Sequence, residues 1–206
     1  MGTRKILGKA SSINVRKVLW TCSELDLSYE REDWGSGFQS THSPQFLQLN
    51  PNAQVPVLID DAGALWESNT ICRYLAHHSD LLPSEPRARA RVEQWMDWQA
   101  TELNPAWSYA FVALVRQNPE YQDPQRIADG IQGWNSKMAI LEQQLAATGA
   151  YVTGAHFSLA DIVLGLSVNR WLMTPMTRPD YPAVMAYYQR LEQRPGFRLH
   201  GCNGIP

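Results

Sequence analysis

The chain has 206 residues, 44% of them hydrophobic and 18% charged, with a formal net charge of −2. This is ordinary usage for a folded protein, and it leaves no global basic field to attract nucleic acid or anionic lipid. Cys22, Cys72 and Cys202 are odd in number and form no C-x-x-C pair, which argues against a disulfide framework or a zinc site and leads us to expect reduced thiols. Arg4, Lys5, Lys9, Arg16 and Lys17 interrupt residues 1–20, so neither a signal peptide nor a membrane span is expected there, and the cytoplasm is the expected compartment. Gly2 follows Met1, but Ile6 stands where a myristoylation motif needs Ser or Thr. The adjacent His77 and His78 diverge on a helix and make a poor chelate, and no metal is expected.

In chain order, residues 5–8 read as a short strand, and the stretch after Asn14 sets Val15, Val18, Leu19, Cys22 and Leu25 on one helical face. Residues 27–34 alternate weakly, as a second strand does, and run into the loop signal Gly35-Ser36-Gly37. Phe46, Leu47 and Leu49 mark a short helix that Asn50-Pro51-Asn52 ends. Residues 55–59 form a short buried strand, 60–63 its hairpin turn and 64–66 the returning strand. A helix over 68–78 closes a βαβαββα unit, in which the first pair of strands needs a crossover helix.

Leu82-Pro83-Ser84-Glu85-Pro86 breaks this pattern, and nothing strand-like follows, so the chain divides into an α/β domain over 1–81 and an all-α helical bundle over 87–206. A long helix begins with Val92, Trp95, Met96, Gln99 and Leu103, and a second carries Ile127, Ile131, Trp134, Met138, Leu141 and Leu145. In Phe157-Ser158-Leu159-Ala160-Asp161-Ile162, Ser158 fits an N-cap, Asp161 its reciprocal partner, and Phe157 with Ile162 a hydrophobic staple, so a buried helix starts there. A last helix opens at Pro182 and stops near Arg194-Pro195.

Three stretches fall in order at the loop ends of the first unit: residues 11–17 (Ser-Ser-Ile-Asn-Val-Arg-Lys), Gln54-Val55-Pro56 and Glu67-Ser68-Asn69. Taken singly, Ser11, Ser12 and Asn14 are N-cap residues, Pro56 a strand-start proline, Ser68 an N-cap and Glu67 a surface acid. As an ordered set, with the 157–161 cap, they resemble the glutathione transferase family over nearly the whole chain, and its serine-dependent theta and phi branches best. The resemblance implies a thioredoxin-like fold for the first domain, glutathione as co-substrate, and a cis peptide before Pro56 that turns the Val55 backbone groups toward the tripeptide. Gln54 would contact its backbone, and Glu67 and Ser68 would hold the charged γ-glutamyl end.

The same resemblance makes Ser12 the candidate that activates the thiol, with Ser11 and Asn14 as competitors. A thiol of pKa roughly 8.5 is only about 3% ionised at pH 7, and a charge-assisted hydrogen bond of ~1.5–3 kcal/mol lowers that pKa by ~1–2 units. The loop over 35–43 offers no clear Lys or Arg for the glycyl carboxylate, leaving His42 as a substitute. Trp107, Tyr109, Phe111 and Arg116 are candidates for the wall against a small hydrophobic electrophile, Asp97 for a contact with a second subunit's glutathione, and Trp95, Trp98 and Trp134 for the core. The expectation is a homodimeric glutathione transferase. The alternatives are a glutathione-dependent disulfide reductase or peroxidase using the same site, and a non-catalytic interaction protein with this fold.

Overall fold

The computed structural model describes residues 4–206; Gly2 lies outside them. The first unit runs β1 (Lys5–Leu7), α1 (Ile13–Glu24), β2 (Glu30–Glu32), α2 (Pro44–Leu49), β3 (Val57–Asp60), β4 (Gly63–Trp66) and α3 (Ser68–Leu75). Its four strands are ordered β2-β1-β3-β4, with β1 parallel to β2 and antiparallel to β3, and β3–β4 a hairpin. Alternation along each strand divides the sheet into two faces. Ile6 and Leu58 point into the main core, which α1 and α3 also enter through Val15, Val18 and Ile71, while Leu7 and Val57 pack with Trp34 and Phe46 of α2 on the other face.

The second strand is shorter than the alternation suggested. Only Glu30, Arg31 and Glu32 pair with β1, because the chain reaches β2 through a left-handed Asp26 (φ 51) that delays its entry to the sheet edge. The helix expected over 68–78 ends at Leu75, and His78 is again left-handed (φ 67).

The remaining elements are helices: α4 (Pro86–Trp98), α5 (Asn104–Leu114), α6 (Pro124–Thr148), α7 (Leu159–Met173), α8 (Pro182–Leu191) and α9 (Pro195–His200). The single helix expected from Val92 through Leu103 is interrupted by a π-helical turn at Gln99–Leu103. Pro105 has no N–H to give an α-helical ladder, and the wider turn just before it absorbs the missing bond. Pro195 likewise does not end the chain's helices but opens α9, a role prolines take at the first helical position.

α7 is buried along nearly its whole length. Its start is held by Asp161, whose carboxylate accepts from the Ser158 N–H (2.8 Å), the Ser158 hydroxyl (3.0 Å) and the Val152 N–H (2.9 Å). Trp20 of α1, fully buried, packs on Phe157 and Phe197 at ring separations of 5.7 and 4.9 Å, so one core spans both halves of the chain. No helix among the described residues is long and apolar enough to cross a membrane.

Candidate active site

The site is built around the turn that follows β1. Gly8 has φ +146, and a Cβ there would lie 2.5 Å from Val15 Cγ2 and 3.0 Å from Val55 Cβ, so only glycine lets α1 and the loop before β3 close on the strand end. The turn is fixed by the Lys9 N–H donating to the Trp34 carbonyl and the Ser12 N–H donating to the Lys9 carbonyl, both at 3.1 Å. Ser12 is the N-cap of α1, and its carbonyl accepts from the Arg16 N–H at 2.9 Å. Its side chain, however, makes no capping bond, and no acidic residue sits in the first turn of α1. A half-buried hydroxyl is thus left uncommitted at the unneutralised positive end of a twelve-residue helix.

A cavity of about 700 Å³ opens over this hydroxyl. Ser11, Ser12, Asn14, Gln54 and Val55 all line it, so two of the three sequence stretches meet there. The Val55–Pro56 peptide is cis, as the resemblance implied. Asn50 Nδ2 donates to the Gln54 carbonyl at 2.8 Å and pins the loop, while the Val55 N–H and carbonyl face no partner among the described residues. Those two groups present an unpaired strand edge toward the cavity.

Glu67 and Ser68 stand apart from the cavity lining, at the junction of β4 and α3. Glu67 is exposed in a left-handed conformation (φ 73) and Ser68, 6% exposed, is the first residue of α3. A left-handed non-glycine costs on the order of 1 kcal/mol or more and persists where the surroundings enforce it. Here it aims the start of α3, whose next residue Asn69 reaches the buried Lys17.

Two family models match, one described as glutathione S-transferase, N-terminal domain, over residues 3–77 and one as glutathione S-transferase, C-terminal domain, over 124–190. Glutathione S-transferase GstB of Escherichia coli is 36% identical, covering 93% of this chain and 94% of its own. The chain belongs to the glutathione S-transferase family. A solved theta class glutathione S-transferase from Xanthomonas axonopodis pv. citri, with glutathione bound, superposes with a TM-score of 0.90 at 36% identity, covering 97% of each chain. The disulfide-bond oxidoreductase YfcG of Escherichia coli is 30% identical over 90% of this chain and 89% of its own.

Within this transferase fold, the structure adds a cation that sequence reasoning missed. Lys9, half-buried on the turn after β1, lines the cavity beside His42 and donates to the Ser36 carbonyl at 3.2 Å. The 35–43 loop lacks a Lys or Arg of its own, and the turn after β1 brings Lys9 against it. Arg170, near the end of the buried helix α7, was also missed. It lines the cavity together with Trp107, Phe111 and Arg116. The fourth wall candidate, Tyr109, does not. It packs on Tyr121 at 5.0 Å, with the Arg126 guanidinium 4.1 Å from its ring, because position 109 lies two residues from both Trp107 and Phe111, on the opposite side of α5.

Asp97 is engaged by Arg73 of α3 in an ion pair. Trp134 is fully buried, and Trp95 and Trp98 meet edge to face at 5.1 Å and pack against the core. Cys22 and Cys72 are buried thiols that burial pushes up to about 12 and about 11, out of the range where a thiolate forms near neutrality. Among the described residues no group of three or more His, Cys, Asp or Glu could hold a metal ion.

Beneath the site, Lys17 is 1% exposed and has no carboxylate within hydrogen-bonding reach. Its ammonium donates to Asn69 Oδ1 at 3.2 Å and Gln99 Oε1 at 2.9 Å, and Gln99 passes the chain on to Asn104, which accepts from Trp107 Nε1 at 3.0 Å. Desolvation lowers the Lys17 pKa to about 8. The unfolded chain, with its lysine near 10.5, therefore binds more protons between about pH 8 and 10.5, and stability rises with pH across that window. Urea unfolding at pH 7.5 and 9.5 should give wild-type protein on the order of 1–2 kcal/mol more gain at the higher pH than Lys17→Met shows.

Proposed function

We propose that the protein conjugates the glutathione thiolate to a small electrophile, with Ser12 donating to the sulfur and the helical half supplying the electrophile's wall. The observation that carries this reading is the Ser12 hydroxyl, placed at the head of α1, unused by the helix cap and open to the cavity. A hydroxyl donor and a helix N-terminus both favour the charged form of a thiol and so shift it toward thiolate. Val55 would pair with the cysteinyl unit, Gln54 would flank it, and Ser68 with Glu67 would take the γ-glutamyl carboxylate and ammonium, Pro56 setting the cis turn. Ser11 and Asn14 remain the neighbours against which Ser12 is to be tested. We read the molecule as a cytoplasmic homodimer divided at the 82–86 segment, with domains over 1–81 and 87–206.

Lys9 supplies the counter-charge for the glycyl carboxylate in this reading, with His42 as a hydrogen-bond donor. Because Lys9 is only half-buried, Lys9→Ala should weaken glutathione binding by about three- to tenfold, less than a buried charge-assisted bond commands, and leave kcat at saturating glutathione nearly unchanged. Isothermal titration and initial rates check the two halves of that statement.

Neither alternative is favoured. The turn over 8–12 holds no cysteine for a mixed disulfide, and the unpaired Val55 backbone and free Ser12 hydroxyl are features that an interaction scaffold has no need to keep. Mass spectrometry of products from glutathione and 1-chloro-2,4-dinitrobenzene tests the reading. A thioether adduct formed above the uncatalysed rate supports transfer. Oxidised glutathione formed from a disulfide or peroxide, with no adduct from any electrophile, would move the assignment to the reductase.

A further inference from the structure

The electrophile's side of the cavity is not simply apolar. Arg170 is 3% exposed, yet it forms no ion pair with any carboxylate among the described residues. Its guanidinium lies 4.1 Å from the Phe111 ring and 4.6 Å from the Trp107 ring, its Nη2 makes a long 3.4 Å contact with the Pro206 oxygen, and its Nε has no partner. Arg116, exposed at the end of α5, reaches over Phe111 at 5.5 Å and is likewise in no ion pair. No Asp or Glu is among the residues that line the cavity.

Burying a guanidinium costs several kcal/mol unless it is paired, and contacts with aromatic faces return only about 0.5–2 kcal/mol. Burial above all, with repulsion from Arg16 and Arg116 rather than relief, holds the Arg170 pKa down to about 9, so it remains charged at neutral pH. Such an arrangement persists in a fold when an anion completes it. The carboxylates of glutathione have other places in the reading given above, at Lys9 and His42 and at the head of α3. The cation on the helical wall is left over.

We infer that the electrophile carries an anionic group, a carboxylate or sulfonate, on a flat apolar body, with the anion seated between Arg170 and Arg116 and the body lying along Trp107 and Phe111. The inference rests on the transferase reading and names the substrate class of that site. For a benzylic halide of this kind the glutathione thiol first gives its proton to solvent. The thiolate sulfur then forms a bond to the benzylic carbon while the carbon–halogen bond breaks, and halide leaves with the bonding pair.

The test compares 4-(bromomethyl)benzoate with 4-(bromomethyl)benzamide, which share body and leaving group and differ in charge. With wild-type protein, kcat/KM corrected for the uncatalysed reaction should favour the acid by about tenfold or more, the scale of one charge-assisted pair. Arg170→Met should bring that ratio toward one, and Arg116→Met, at an exposed position where folding is not at stake, should lower it part of the way. A wild-type ratio near one overturns the inference while leaving transfer intact, whereas no adduct from either halide counts against transfer.

Binding is read separately from turnover by tryptophan fluorescence with the unreactive 4-methylbenzoate and 4-methylbenzamide. A tighter acid, with the preference reduced in Arg116→Met, supports the inference. Equal affinities overturn it whatever the turnover result, and so does a loss of glutathione affinity in Arg116→Met and Arg170→Met without a change in acid preference, since the arginines would then belong to glutathione.

Discussion

Ser12→Ala is expected to lower kcat/KM for conjugation by roughly 10- to 100-fold at pH 6.5, the kinetic equivalent of losing a charge-assisted hydrogen bond of ~1.5–3 kcal/mol. The sign of the pH dependence follows from what the bond stabilises. The hydroxyl favours thiolate over thiol, so removing it raises the bound thiol's pKa by ~1–2 units toward that of free glutathione. Below the wild-type value both forms lose rate in parallel. Above the variant's value both are ionised and the gap narrows. Thiolate absorbance of the glutathione complex, recorded against pH, should show the midpoint move upward in Ser12→Ala and stay near wild type in Ser12→Thr, which keeps the hydroxyl. Ser11 is exposed and should matter little. If Asn14→Ala produced the large upward shift and Ser12→Ala did not, the role would pass to the Asn14 amide, which also lines the cavity.

The largest expected loss of stability belongs to Asp161→Ala. The carboxylate is fully buried and accepts three hydrogen bonds, two of them from backbone N–H groups that have no other acceptor in reach. Burial pushes its pKa up to about 6, against the downward pull of those bonds, so it is ionised at neutral pH. Alanine removes the cap of α7 and strands the three donors in the core, a cost of about 3–5 kcal/mol. That is a large part of the 5–15 kcal/mol by which a typical domain is stable. Urea unfolding at pH 7.5 measures it. A change below about 1 kcal/mol would mean that the Ser158 and Val152 groups find new acceptors.

Much of this molecule was legible in its sequence because its signals are local. The βαβαββα order follows from turn residues and periodicity, and the α7 cap from four side chains within the stretch 157–162. The cis bond before Pro56 was reached through the family resemblance, since a proline at a strand start does not by itself specify an isomer. What escaped was what depends on packing between segments distant in sequence. Lys9 precedes the serine turn and looks like a surface charge; only the fold brings it to the cavity that His42 also lines. Arg170 is the one cation in the fifteen residues of α7, and its meaning lies in Trp107 and Phe111, some sixty residues earlier. Tyr109 was grouped with Trp107 and Phe111 as an aromatic wall, although a position two residues from each lies on the other side of a regular helix.

The route of the tail has a consequence for how the protein is made. Arg16, on the first helix, donates to the Ile205 oxygen at 2.8 Å and the Pro206 oxygen at 2.7 Å, and Asn169 donates to the Ile205 oxygen at 2.9 Å, so that both residues line the cavity beside Ser12. The turn over 8–12 is therefore synthesised well before the segment over 205–206 that completes its cavity. While the chain is nascent, Arg16 lacks the acceptors it later uses and the cavity stands open on the tail side. The pocket takes its full shape only once residues 205 and 206 have been made and two segments distant in sequence meet across α1.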